Sequence, residues 1–146
     1  MAVVRKASVT WEGDLMKGRG RLTAATSAAF KDLPVTWASR TEAPDGRTSP
    51  EELVASAHAS CFAMAFSAGL ARAGTPGDKL EVQAAVTFDK TDAGWRIKSS
   101  ALEVTGWVKG IDATAFDKAA QAAKDGCPIS QALKGNVELS VKTTLA

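Results

Sequence analysis

The sequence predicts an α+β fold with mainly antiparallel sheet, in the order βββ-α-ββ-αα-β. Three observations predict it. Stretches near both ends alternate apolar and polar residues with period two. One long central stretch, residues 48–74 (TSPEELVASAHASCFAMAFSAGLARAG), carries helix start and stop signals. Turn residues separate the strand-like runs at hairpin spacing.

Residues 3–11 alternate, with Val3, Arg5, Ala7, Val9 and Trp11 on one side. Gly13-Asp14 offers a turn, and residues 15–26 read as the returning strand, loosened by Gly18 and Gly20. Residues 34–38 form a short third strand. Residues 40–48 (RTEAPDGRT) are a polar loop with Pro44 and Asp45-Gly46 turn signals. The long helix follows. Ser49 is its N-cap, Pro50 suits the first helical position, and Glu52 completes an S-x-x-E capping box. Gly74 and Pro76 end it, with Arg72 in the last turn. From Ala55 to Ala71 its residues are apolar or small on every side, so the helix is expected to be buried all round. Residues 80–90 and 95–107 are two more strands around the loop Thr91-Asp92-Ala93-Gly94. A helix capped by Asp112 or Thr114 runs to about Lys124 and stops at Asp125-Gly126. Cys127-Pro128 opens a short segment, 129–134, and 137–143 alternates as a last strand.

At 146 residues the chain reads as a single domain, 1–146, with room for a real core. A single chain would struggle to cover every face of the central helix, so a homodimer with intertwined sheets is expected. The net charge of +2 shows no basic block and no acidic tail, so nucleic acid is not an expected partner. The first residues turn polar too soon for a secretory apolar core. The longest apolar run is interrupted by serines and falls short of the roughly 18 residues of a membrane span. A soluble cytoplasmic protein without membrane attachment is expected.

Two cysteines, Cys61 and Cys127, stand 66 positions apart. That is neither a disulfide framework nor a C-x-x-C motif. With one histidine, a zinc site is not expected, and no flavin or nucleotide motif is present. In a reducing compartment the bland reading is two buried, inert thiols.

Cys61 sits three turns into the helix, where the dipole helps little. Burial would raise its pKa. Lowering a thiol by about two units takes about 2.7 kcal/mol, and one Arg at about 4 Å in an effective dielectric near 20 offers roughly that. A reactive Cys61 therefore requires a neighbouring arginine. Arg40, between a strand and the loop into the helix, is the best placed. Such an arginine needs a carboxylate to orient it. Glu51 is available, since Glu52 is the better cap partner. Glu51 and Cys61 lie about 15 Å apart along a straight helix. Either Arg40 bridges that gap or Glu51 comes from a partner subunit; the alternative is that both glutamates simply favour the helix N-terminus. Cys127 precedes Pro128 at a helix start, where amides favour a thiolate suited to disulfide exchange; its bland role is a small capping residue. His58 lies one turn before Cys61 and has two readings, a base for Cys61 and a hydrogen-bonded packing residue. The second is favoured.

WEGD-LMKGRG near the start, TSPEELVASAHASCFAMA in the helix, DAGW in the second hairpin, GIDA, and GCPISQALK near the end together resemble OsmC, within the OsmC and organic hydroperoxide resistance (Ohr) superfamily. The resemblance runs nearly end to end. Ser49 departs from the Asn often found before Pro-Glu, and either residue can cap. The resemblance implies an intertwined homodimer with sites at the subunit interface, antiparallel sheets wrapped around a long central helix, and a thiol peroxidase favouring organic hydroperoxides over hydrogen peroxide in oxidative and osmotic stress defence. It implies Cys61 as the peroxidatic cysteine, Cys127 as the resolving one, Arg40 as the activating cation and Glu51 as the carboxylate that positions it. It implies no cofactor and a dithiol reductant, such as a dihydrolipoyl protein. The rival readings are a non-catalytic dimer that binds an apolar ligand and a redox sensor whose disulfide remodels a partner surface.

Overall fold

The computed structural model describes residues 1–146. The chain divides into two compact units, residues 1–53 and 54–146.

In the first unit, β1 (Ser8–Glu12), β2 (Arg19–Thr23) and β3 (Leu33–Val35) form an antiparallel sheet in the order β1-β2-β3. β1 and β2 are shorter than the alternation predicts. Gly20 sits where a Cβ would meet the Val35 side chain and the Trp11 ring, so the glycine allows β1 and β3 to close over β2. The third strand ends at Val35, and the predicted continuation through Ala38 is instead helix α1 (Trp37–Thr41). The cause is a reciprocal cap: Thr36 Oγ1 accepts from the Ser39 N–H at 3.0 Å, and Ser39 Oγ accepts from the Thr36 N–H at 3.0 Å. A serine replaces the Glu or Gln that usually signals such a box. Arg40 therefore stands on a helix and not in the polar loop.

Helix α2 (Pro50–Arg72) starts as predicted, with the Glu52 N–H donating to Ser49 Oγ at 3.1 Å. It ends in a Schellman arrangement. The Gly74 N–H bonds Ala71 O, the Thr75 N–H bonds Leu70 O, and Gly74 adopts φ +81°. Within the single chain its burial is one-sided. His58, Phe62, Phe66 and Leu70 make one buried stripe, while Ala57, Met64, Ala68 and Ala71 are exposed, Met64 at 66%. The one-sided stripe follows the four-residue spacing of the large residues. The membrane estimate made on the uninterrupted run also shifts. At 23 residues and mean hydropathy 1.5, α2 is long and apolar enough to cross a membrane by length and composition, because its serines barely lower the average among so many alanines. A core helix meets the same condition, and the inner stripe of α2 is occupied by packing.

The second unit holds β4 (Gly77–Thr91), β5 (Gly94–Val108) and β6 (Glu138–Leu145) in the order β4-β5-β6. β4 and β5 form a long antiparallel hairpin; β6 runs parallel to β5. A parallel neighbour needs a crossover, supplied by α3 (Ala113–Gly126) and α4 (Pro128–Leu133). Asp112 caps α3, accepting from the Ala115 N–H at 2.8 Å. On β5, Ser100, Leu102, Val104, Gly106 and Val108 alternate inward. They meet Phe62, Phe66 and Leu70 of α2 and Phe116, Ala120 and Ala123 of α3 in one core that includes Cys127. Phe66 packs on Phe116 with ring centroids 5.0 Å apart. This core fixes α2 and α4 around the two cysteines.

Candidate active site

The first unit holds a buried ion pair. The capped turn of α1 sets Arg40 facing the first turn of α2. Its Nε and Nη2 both donate to Glu51 Oε1, at 2.9 and 2.8 Å. The guanidinium also lies over the Trp37 ring, 5.8 Å from its centroid. Glu51 is buried, and its Oε2 has no hydrogen-bond partner. Glu52 accepts from Thr48 Oγ1 at 2.7 Å, and Glu51 is the glutamate that meets Arg40. Beside Arg40 opens a cavity of about 360 Å³, walled by Trp11, Leu22, Val35, Trp37 and Leu53. Arg40 is the one charged side chain on its lining.

The second unit holds the two thiols, both free. Cys61 is partly exposed and Cys127 fully buried. The two sulfurs bear directly on each other. Burial pushes the Cys61 thiol up; the Ile129 amide opposes this, and the neighbouring Cys127 adds to it. Burial also pushes Cys127 up. The Ser130 amide, the Cys61 thiol, the Ile129 amide and the Ser130 hydroxyl outweigh it, so its pKa is lowered. Cys127 is the N-cap of α4, with Pro128 behind it. Its sulfur makes no cap hydrogen bond of ordinary geometry, yet the first amides of α4 favour its anion. Burial thus opposes the Cys61 anion, while the first amides of α4 favour that of Cys127.

His58 is fully buried. Its Nδ1 lies 2.6 Å from Ser100 Oγ and its Nε2 2.9 Å from Ser130 Oγ. Burial lowers its pKa. Both nitrogens are occupied by hydroxyls, which fits the hydrogen-bonded packing role and leaves neither free to serve Cys61 as a base. Ser100 and Ser130 were not among the residues singled out from sequence. Ser130 carries a signal, C-P-I-S, a hydroxyl at the third helical position behind a cysteine cap; Ser100 carries none. No group of three or more His, Cys, Asp or Glu side chains is gathered to hold a metal.

The model of the family described as OsmC-like protein matches residues 43–142. The chain belongs to the OsmC-like family. The peroxiredoxin OsmC of Escherichia coli strain K12 is 41% identical over 139 residues, covering 95% of this chain and 96% of that protein. The organic hydroperoxide resistance protein OhrB of Bacillus subtilis strain 168 is 29% identical over 96 residues, covering 65% and 68% of the two chains. The crystal structure of B. subtilis OhrB superposes with a TM-score of 0.75 at 26% identity, covering 95% of this chain and 98% of that one. The OsmC-like fold, α+β with two sheets, is thus the one adopted here.

Proposed function

We propose that this OsmC-like protein is a cysteine-based peroxidase that reduces organic hydroperoxides to alcohols, working in the cytoplasm as a homodimer. The observation that carries the reading is the thiol pair. One sulfur is reachable and the other is buried against it with its thiolate favoured. The names of the E. coli and B. subtilis relatives support the same class of reaction.

In the first step the Cys61 thiolate attacks the outer peroxide oxygen. An S–O bond forms, the O–O bond breaks, and the alkoxide leaves to take up a proton. Exposure argues that Cys61, and not Cys127, meets the hydroperoxide. Arg40, braced by Glu51, supplies the cation that Cys61 lacks and steadies charge on the leaving oxygen. The apolar cavity beside Arg40 suits the alkyl group of an organic hydroperoxide better than hydrogen peroxide. In the second step the Cys127 thiolate attacks the Cys61 sulfenic sulfur, forming a disulfide and releasing hydroxide. A dithiol of the dihydrolipoyl type restores both thiols by exchange. The exposed apolar face of α2, from Ala57 through Met64 to Ala71, supports pairing with a second copy. A stable monomer by light scattering would refute the dimer.

Hydroperoxide consumption with dithiol present tests the reading. Cys61→Ser should abolish even one turnover. Cys127→Ser should react once and stop. Arg40→Ala should slow Cys61 alkylation at neutral pH; identical alkylation across pH would remove Arg40 from its role. Wild-type protein that leaves cumene hydroperoxide intact would overturn the peroxidase reading.

A further inference from the structure

Nothing in the two-cysteine chemistry calls for the WEGD-LMKGRG stretch, which folds as the β1–β2 hairpin. Its residues converge on the Trp11 ring. Trp11 stands directly across from Gly20 in the strand register. A Cβ at Gly20 would lie 3.0 Å from Trp11 Cε3 and 3.4 Å from Cζ3, and one at Gly18 would lie 2.8 Å from Trp11 Cε2. The ring therefore lies against both glycines, in space that a side chain would fill. The Trp11 Nε1–H donates to the Gly13 carbonyl at 3.0 Å. The loop behind it is closed on itself, the Gly18 N–H donating to Asp14 O and the Lys17 N–H to Asp14 Oδ1, both at 2.8 Å. A cross-strand aromatic can simply cover a glycine in a sheet. That role does not account for the rest. Trp11 stays 40% exposed, and it lines the cavity beside Arg40 together with Leu15 of the same loop and Val35 of β3.

We propose that Trp11 is the specificity-determining wall of this cavity, and that the cavity takes a flat, aromatic carbon group in preference to a saturated one of equal size. An indole held from behind and by its own N–H presents a fixed plane. An aromatic ring gains about fivefold in affinity on such a plane, beyond what its buried area gives. A puckered ring of the same carbon count has no plane to match. The size of the cavity suits a ring. A cavity of about 150 Å³ holds benzene, and this one measures about 360 Å³, room for a ring with its side carbons. The polar end of the ligand has one charged neighbour on the lining, the Arg40 guanidinium over Trp37. The substrate class is an arylalkyl hydroperoxide, its peroxide end toward Arg40 and its ring on Trp11. This assignment rests on the peroxidase reading for turnover, and on the cavity alone for binding. Gly20 is the positioning residue behind the wall. A Cβ there would meet Val35 Cγ1 at 2.6 Å as well as the Trp11 ring, so a single methyl group would move two sides of the cavity without touching the ligand.

Two experiments test the proposal. In the first, reduced wild-type protein is titrated with 2-phenyl-2-propanol, the alcohol left by cumene hydroperoxide, and with 2-cyclohexyl-2-propanol, its ring-saturated analogue. The indole N–H resonances of Trp11, Trp37, Trp95 and Trp107 are followed. The aryl alcohol should shift Trp11 and Trp37 and leave Trp95 and Trp107 in place, and it should bind about fivefold more tightly than the saturated one. Equal binding of the two alcohols, or shifts that spare Trp11, would overturn the proposal. In the second, kcat/KM is compared for cumene hydroperoxide and its ring-saturated analogue. Trp11→Leu should lower the ratio of the two about fivefold, through KM. Trp11→Phe keeps a flat ring and loses only the Nε1–H, so it should retain most of the preference. Gly20→Ala should lower the ratio although it removes no contact with the ligand. An unchanged ratio in Trp11→Leu would contradict the assignment. The titration needs no variant, so it decides even where Trp11→Leu or Gly20→Ala fails to fold. Wild-type protein that consumes neither hydroperoxide would defeat the peroxidase reading, while the titration still judges the cavity.

Discussion

The molecule holds two polar networks built on opposite terms. In residues 1–53, Arg40 and Glu51 carry full charges. The pair is only partly covered on the arginine side, and one carboxylate oxygen is left without a partner. In residues 54–146, Ser100, His58 and Ser130 are neutral, fully buried or nearly so, and both ring nitrogens are matched. The difference is instructive. A buried ion pair is weak evidence for stability, because desolvation offsets most of its attraction. A satisfied neutral chain fixes positions without adding a field. The arginine pair keeps a charge on the lining of an apolar cavity, and the histidine chain is a satisfied neutral link between α2, β5 and α4.

Substitutions can break this contrast. The largest expected effect is at His58. His58→Leu leaves two buried hydroxyls unpaired, at about 1–3 kcal/mol each, so a urea midpoint should fall by the equivalent of about 2–6 kcal/mol. Adding Ser100→Ala and Ser130→Ala should recover part of it. A fully additive triple variant would show that the chain is not one unit.

Arg40→Met comes next. It leaves Glu51 buried and unpaired, with an expected loss of about 2 kcal/mol, below the range for a fully buried pair because the arginine keeps some contact with water. Glu51→Gln in that background should return most of the stability without returning activity. If activity returned too, the charge would not be its purpose. Thr36→Ala removes the cap that holds α1, and with it the base of Arg40, for about 1 kcal/mol. A larger drop in activity than in stability would tie that small helix to the arginine.

The mildest perturbation changes no residue. His58 titrates below its usual 6.5 in the folded protein. Above pH 6.5 both folded and unfolded states hold the neutral ring, and stability is full. As the pH falls from 6.5 through the lowered folded value, the unfolded state takes the proton first and stability is lost. Urea midpoints at pH 7.5 and 5.5 should therefore fall toward acid, and the fall should shrink in His58→Gln. An equal slope in both proteins would contradict the burial of a neutral ring.

Much of this was legible in the sequence where the signal is local. Ser49, Gly74, Asp112 and Pro128 fix helix ends by caps that act within a turn. Arg40 and Glu51 are eleven positions apart and meet as the loop between them suggests. Helix α1 was missed because its box uses Ser39. The face that α2 turns to its own chain follows the four-residue spacing of His58, Phe62, Phe66 and Leu70, which the surrounding alanines mask in the sequence. The Ser100–His58–Ser130 chain spans 42 and 72 positions and depends on β5 and α4 arriving on either side of α2. No local pattern reports such an encounter.

The most direct test of the account is the fate of each sulfur after one equivalent of cumene hydroperoxide, read by mass spectrometry with a sulfenic-acid trap. Cys127→Ser protein should carry one trapped group on Cys61, Cys61→Ser protein none on Cys127, and wild type a Cys61–Cys127 disulfide. Oxidation of Cys127 in the Cys61→Ser protein at the wild-type rate would contradict the assignment of the reachable thiol as the one that meets the hydroperoxide.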